Sequence, residues 1–185
     1  MPQSRDKRRR TDLDLFVLAL IEGGLATPYD LQIGAGLSPG ATIPALRRLV
    51  ADGWASPGKR GSRGRTEHGI TAAGRRHLEN SWRQLIADGP TGDVEADLRV
   101  ALLALSVGGD RRISAGFLRA SAKKKRAALA GARRSEQQPD RPPLASWYQK
   151  LRSESAESVA RAEAAGFLAM ARRLPAKPKS ARRSK

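Results

Sequence analysis

Apolar residues recur along this chain at helical spacing, and short glycine- and proline-marked breaks separate the runs. Leu13, Phe16, Val17, Leu20 and Ile21 form one stripe, widened by Leu15 and Leu18. This predicts a largely buried helix from a cap at Thr11 or Asp12 to Glu22, stopped by Gly23-Gly24. Thr27 with Pro28 starts a short second helix packed through Tyr29, Leu31 and Ile33 and ended by Gly34 and Gly36. Ser38 with Pro39 repeats that signal for a third helix reaching about Asp52, with Gly53 as its stop. Pro44 inside it predicts a distorted first turn or a later start of regular helix.

The period then changes. Trp54-Ala55 and Glu67 to Ile70 read as short strands flanking the loop from Gly58 to Arg65, a hairpin arrangement. Thr71 caps a fourth helix, Ala72 to about Ala87, through Leu78, Trp82, Leu85 and Ile86. Gly89-Pro90 and Gly92 mark a domain boundary. Asp93 opens a fifth helix with Val94, Leu98, Leu102 and Leu105 on one face, and Gly108-Gly109 ends it. A sixth helix is expected from Ser114 to about Arg134, a proline-containing linker from Gln137 to Pro143, and a long seventh helix from Leu144 to Leu174.

The ends have no such periodicity. Residues 1–10 and 175–185 are polar and basic, which predicts a disordered arm and a disordered tail around two ordered units, 11–88 and 93–174. The fold class expected is mainly α with a small β-hairpin.

Charge sharpens this picture. The net charge of the chain is +17, and residues 172–185 contribute +7 of it with no acid. Between Thr11 and Ile70 there are six basic and six acidic residues, yet all six basic ones (Arg47, Arg48, Lys59, Arg60, Arg63, Arg65) fall between positions 47 and 65. A short helix followed by a cationic glycine loop suits a polyanion: the helix can enter a groove while the loop lies over phosphates. Projected at about 100° per residue, the third helix turns Ile43, Leu46, Leu49 and Val50 to one side and Ala41, Pro44 and Arg48 to the other, with Ser38, Thr42, Ala45 and Arg47 on the flanks. Ser38, Thr42, Arg47 and Arg48 are its candidate DNA contacts, and Lys59, Arg60, Arg63 and Arg65 those of the loop.

Other chemistry finds little support. With no cysteine there is no disulfide, no thiolate nucleophile and no cysteine-ligated zinc. His68 and His77 read as surface residues without metal-ligand spacing, and Gly61-Ser62-Arg63-Gly64 misses a nucleophile elbow by one residue. No Walker or Rossmann glycine loop is present, so no enzyme, metal or cofactor is expected. The basic RDKRRR before LDLFVLALI imitates an export signal, but Asp12 and Asp14 interrupt its apolar run. A run this short does not span a bilayer, which needs about 20 apolar residues. A cytoplasmic, nucleoid-associated location and no membrane partner are expected.

Residues 12–78 resemble the winged-helix domain of the PadR-like transcriptional regulators. The matching pieces are LDLFVLALI in the first helix, PYDL in the second, LSPGATIPALRRLVADGWA across the third helix and first strand, and GRTEHGITAAGRRHL from the second strand into the fourth helix. Residues 93–174, with RAEAAGFLAMARRL near the end, resemble the family's C-terminal helical domain more loosely. The resemblance implies a bacterial homodimeric repressor on double-stranded DNA, dimerised through its C-terminal helices. Trp147, Leu151, Val159, Phe167, Leu168 and Met170 would then supply the dimer surface. Some relatives sense small aromatic effectors, and Trp82, Trp147 and Tyr148 are the candidate lining for one. Two other functions fit the charge: an architectural DNA-binding protein working through its basic ends, and a module that docks an acidic protein.

Overall fold

The first helix, α1 (Pro2–Glu22), starts well before Thr11 or Asp12, so neither residue caps it. Lysine and arginine are good helix formers, and a helix nucleated by the apolar run propagates backwards through them. α1 takes in residues 2–10 of the expected basic arm. The computed structural model describes residues 2–60, 66–135 and 143–175, and among these the chain is mainly helical, with seven helices and one two-stranded antiparallel sheet. The 137–142 part of the expected linker and the 176–185 part of the expected tail lie outside the described residues.

Local signals set most of the boundaries. α2 (Pro28–Ala35) opens on a reciprocal cap: the Asp30 N–H donates to Thr27 Oγ1 at 3.1 Å, and the Thr27 N–H donates to Asp30 Oδ2 at 3.0 Å. It closes on Gly36, whose φ of 67° is the left-handed conformation that favours glycine. α3 (Pro39–Ala51) runs unbroken through Pro44, so the later start expected there does not occur. The proline's missing N–H leaves only the Gly40 carbonyl without its helical donor.

β1 (Ala55–Arg60) and β2 (Thr66–Ile70) pair with Ala55 opposite Ile70 and Pro57 opposite His68, and the register breaks between Pro57 and Arg60. β1 is longer than the Trp54-Ala55 expected and takes in Gly58, Lys59 and Arg60. The base of the hairpin is locked to α4 (Ala72–Ala87). Thr71 Oγ1 accepts from the Gly74 N–H at 2.9 Å and donates to the Gly53 carbonyl at 2.7 Å. A Cβ at Gly74 would sit 2.0 Å from the Trp54 carbonyl oxygen, so only glycine allows this approach.

α5 (Val94–Ser106) is central: it packs against α1, α4 and α6. Its deepest positions are Ala96, Val100, Ala101, Leu103, Ala104 and Leu105, while Leu98 and Leu102 of the expected stripe are only half-buried. α6 (Arg111–Ser135) is capped by Asp110 rather than starting at Ser114, because Asp110 Oδ1 accepts from the Arg112 N–H at 2.7 Å. α7 (Pro143–Arg173) returns along α6. One hydrophobic core joins all these helices and continues across the Gly89–Asp93 connection, from Leu15, Leu18 and Leu49 to Leu103, Leu118 and Phe167. Among the described residues no helix is long and apolar enough to cross a membrane.

Candidate functional site

The cationic segment begins on α3, and packing divides that helix differently from the projection. Thr42, Ala45, Leu46 and Leu49 are buried, whereas Gly40, Ile43, Pro44, Arg47 and Ala51 face solvent. Ile43, expected on the packing side, is 39% exposed. Thr42 is fully enclosed, and its hydroxyl donates to the Ser38 carbonyl at 3.2 Å, which removes it as a ligand contact. Ser38 stays exposed at the helix start, and its side chain makes no capping bond.

The two adjacent arginines have separate roles. Arg47 points out. Arg48 reaches back to α1 and grips Asp14 with both ends of its fork, Nε to Oδ2 at 2.8 Å and Nη2 to Oδ1 at 2.6 Å. These bonds to the carboxylate push the Arg48 pKa further up, so its charge is permanent but engaged inside the chain. Lys59 and Arg60 fall on β1, while Arg63 and Arg65 lie outside the described residues.

Between α3 and the hairpin lies a groove of about 420 Å³, lined by Ile43, Leu46, Val50, Ala51, Pro57 and His68 among others. His68 helps hold its far wall: its backbone N–H donates to the Ala26 carbonyl at 2.7 Å, and Nδ1 lies 3.3 Å from the same oxygen. His77 stacks on Trp54 with ring centroids 3.5 Å apart, and Nδ1 lies 3.2 Å from Ser81 Oγ. Burial lowers its pKa below 6.5. Both histidines are half-buried parts of the scaffold rather than the surface residues expected. Among the described residues no cluster of three or more His, Asp or Glu could hold a metal.

The candidate dimer surface splits in two. Phe167 is fully buried in the core of the single chain, with Leu168 and Met170 packed against that core. Trp147, Leu151 and Val159 are exposed, as are Leu144 and Tyr148. Phe167 thus belongs to the intramolecular core, because the second half of α7 is the part that lies on the other helices. Nor do the three aromatics form one cavity in the single chain. Trp82 is sealed in the core beside Gly108, where a Cβ would come within 2.6 Å of its ring, while Trp147 and Tyr148 stand in solvent.

Two features escaped the periodicity. Asp12 is buried and accepts from Arg99 of α5, whose Nε donates to Oδ2 at 2.8 Å, and its Oδ1 has no hydrogen-bond partner among the described residues. Burial, opposed by Arg99, raises its pKa above 3.8. A carboxylate within an apolar run was the available signal, since such a group needs a partner when enclosed. The second is a groove of about 620 Å³ between α1, the α2–α3 turn and α5, walled by Leu13, Phe16, Leu37, Leu98 and Leu102 with Arg99 at its edge. Only tertiary packing brings these residues together.

No protein-family model matches this chain, and no curated protein matches it.

Proposed function

We propose that this protein is a sequence-specific DNA-binding transcriptional regulator, a homodimeric repressor whose residues 11–88 work as a winged helix-turn-helix. The observation that carries the reading is the direction of charge. Of the acids in that segment, Asp12 and Asp14 are turned inward onto Arg99 and Arg48. Arg47 faces out, and the remaining cations of the segment lie on or beyond β1. The acids left exposed near α3 and the hairpin are Asp52 and Glu67, against five cations, Arg47, Lys59, Arg60, Arg63 and Arg65, in the same stretch of sequence, so the segment keeps a net attraction for a polyanion.

In this reading α3 enters the major groove and the hairpin cations Lys59, Arg60, Arg63 and Arg65 hold phosphates, which positions the helix without specifying sequence. The exposed first half of α7 meets the same surface of a second copy. Two α3 helices then reach half-sites about 34 Å apart on a palindrome. The PadR-like resemblance of residues 12–78 supports the repressor role, and no cofactor is required. A palindromic duplex from the protein's own promoter is expected to resist competition by random DNA at physiological salt. Equal competition by random DNA overturns sequence-specific regulation.

One observation favours a second reading. Arg47 is the only cation on the outward face of α3, while residues 172–185 carry +7. An architectural protein would bind through that tail and the basic residues 1–10, and deleting both 1–10 and 175–185 would then nearly abolish binding. The regulator keeps its site preference after the same deletion.

A further inference from the structure

The outward face of α3 is short of hydrogen-bonding groups. Its exposed positions are Pro39, Gly40, Ile43, Pro44, Arg47 and Ala51, with the Ser38 hydroxyl at the helix start. Thr42 is spent on the Ser38 carbonyl and Arg48 on Asp14, so one arginine and one terminal hydroxyl remain. The centre of the face is an apolar ridge of Ile43 and Pro44. On the hairpin side Ile43 borders the groove of about 420 Å³, so the ridge stands clear of the hairpin.

Two residues on this face weaken the helix without serving the fold. Gly40 does not have a positive φ, and a Cβ built on it meets nothing within 4 Å among the described residues. Glycine there has no internal conformational or packing reason and destabilises the helix relative to alanine. Pro44 gives up a helical hydrogen bond while its ring faces solvent. Both are accounted for by an outside surface that approaches the first turn closely and is apolar where it touches.

We propose, resting on the DNA-binding reading above, that α3 selects thymine by its C5-methyl group. Ile43 and Pro44 contact thymine methyls in the major groove, Gly40 lets the first turn descend onto the bases, and Arg47 holds a neighbouring phosphate. Thymine alone presents a methyl at the groove edge. A G·C pair under the same ridge would leave its amino and carbonyl groups covered and unpaired, which penalises that sequence.

The test starts from duplexes enriched from a random pool by the full-length protein. The most enriched duplex is then resynthesised with uracil for thymine, which removes only the methyls. Affinity is expected to fall about fourfold for each contacted methyl. Ile43→Ala should bind both duplexes and distinguish them less than the wild type does, by about the factor of one methyl contact. Gly40→Ala should melt at a higher temperature than the wild type and bind the enriched duplex more weakly. Equal binding of the thymine and uracil duplexes by the wild type overturns the proposal, and undiminished binding by Gly40→Ala overturns the close approach. Binding to the pool with no enriched sequence overturns base reading while leaving charge-driven DNA binding intact. No binding to any duplex at low salt overturns the DNA-binding reading itself.

Discussion

At the junction of α1 and α5 the protein encloses charge, whereas along the first half of α7 it leaves aromatic and aliphatic side chains in water. Asp12 is 1% exposed and Trp147 is 71% exposed, the reverse of what their side chains prefer in isolation. The junction resolves its problem internally, because Arg99 supplies the countercharge at 2.8 Å. Nearby Asp97 is likewise enclosed and satisfied, accepting from the Thr91 N–H and hydroxyl at 2.8 Å and from the Gly92 N–H at 2.9 Å. Among the described residues the α7 stripe of Leu144, Trp147, Tyr148 and Leu151 has no such cover. Burying side chains of this size gains roughly 1.5–3 kcal/mol each, so under the proposed homodimer they are where a second copy would contribute most. One region pairs its unfavourable groups within the chain, and the other leaves them exposed.

The largest effect that could break this contrast lies at the junction. Arg99→Ala strands a carboxylate that is already short of one hydrogen bond, and the expected loss is about 3–5 kcal/mol. Urea unfolding at fixed protein concentration measures it. A loss under about 1 kcal/mol would mean that water reaches Asp12 and the junction is not closed.

On α7 the effect should appear in association rather than in folding. Replacing Trp147 and Leu151 together by serine is expected to weaken the dimer at least tenfold, about 1.4 kcal/mol, as read by sedimentation. The melting temperature should rise with protein concentration, and the variant's should lie below the wild type's at equal concentration. If the variant instead loses helix as a monomer, this half of α7 is folding core and the contrast fails.

The smallest effects are in pH dependence, and they carry opposite signs. Asp12 has a folded pKa raised by burial, so the folded state binds the proton first. Its contribution is fully present below pH 3.8 and is lost as pH rises through the raised value. Relative to Asp12→Asn, the wild type should therefore gain stability on acidification. His77, lowered by burial, does the reverse: its contribution is present above pH 6.5 and is lost as pH falls through the depressed value. Thermal melts of wild type, Asp12→Asn and His77→Phe across that range separate the two.

Much of the helical order was legible because its causes are local. Thr27, Thr71 and Asp93 each cap the helix they precede, through an oxygen that accepts from an N–H three residues on. The start of α1 was not legible, since helix propagation through residues 2–10 has no cap to mark it. The two faces of α3 were not legible for a different reason. A projection fixes the angles between residues but not where the buried sector is centred, and packing against α1 and α2 centred it on Ala45 and Leu49, which put Thr42 in and Ile43 out. Arg47 and Arg48 look interchangeable until Asp14, far away in sequence, engages only the second.

The sequence by itself determined the alternation of helices and breaks, the hairpin after the third helix and the collection of positive charge between positions 47 and 65. Those properties depend on neighbours within one or two turns, or on composition alone. Tertiary structure decided which arginine stays available, which half of α7 is covered, and that Asp12 is enclosed. Each of these depends on residues distant in the chain meeting in space, where the removal of water turns charge pairing and apolar contact into the deciding energies.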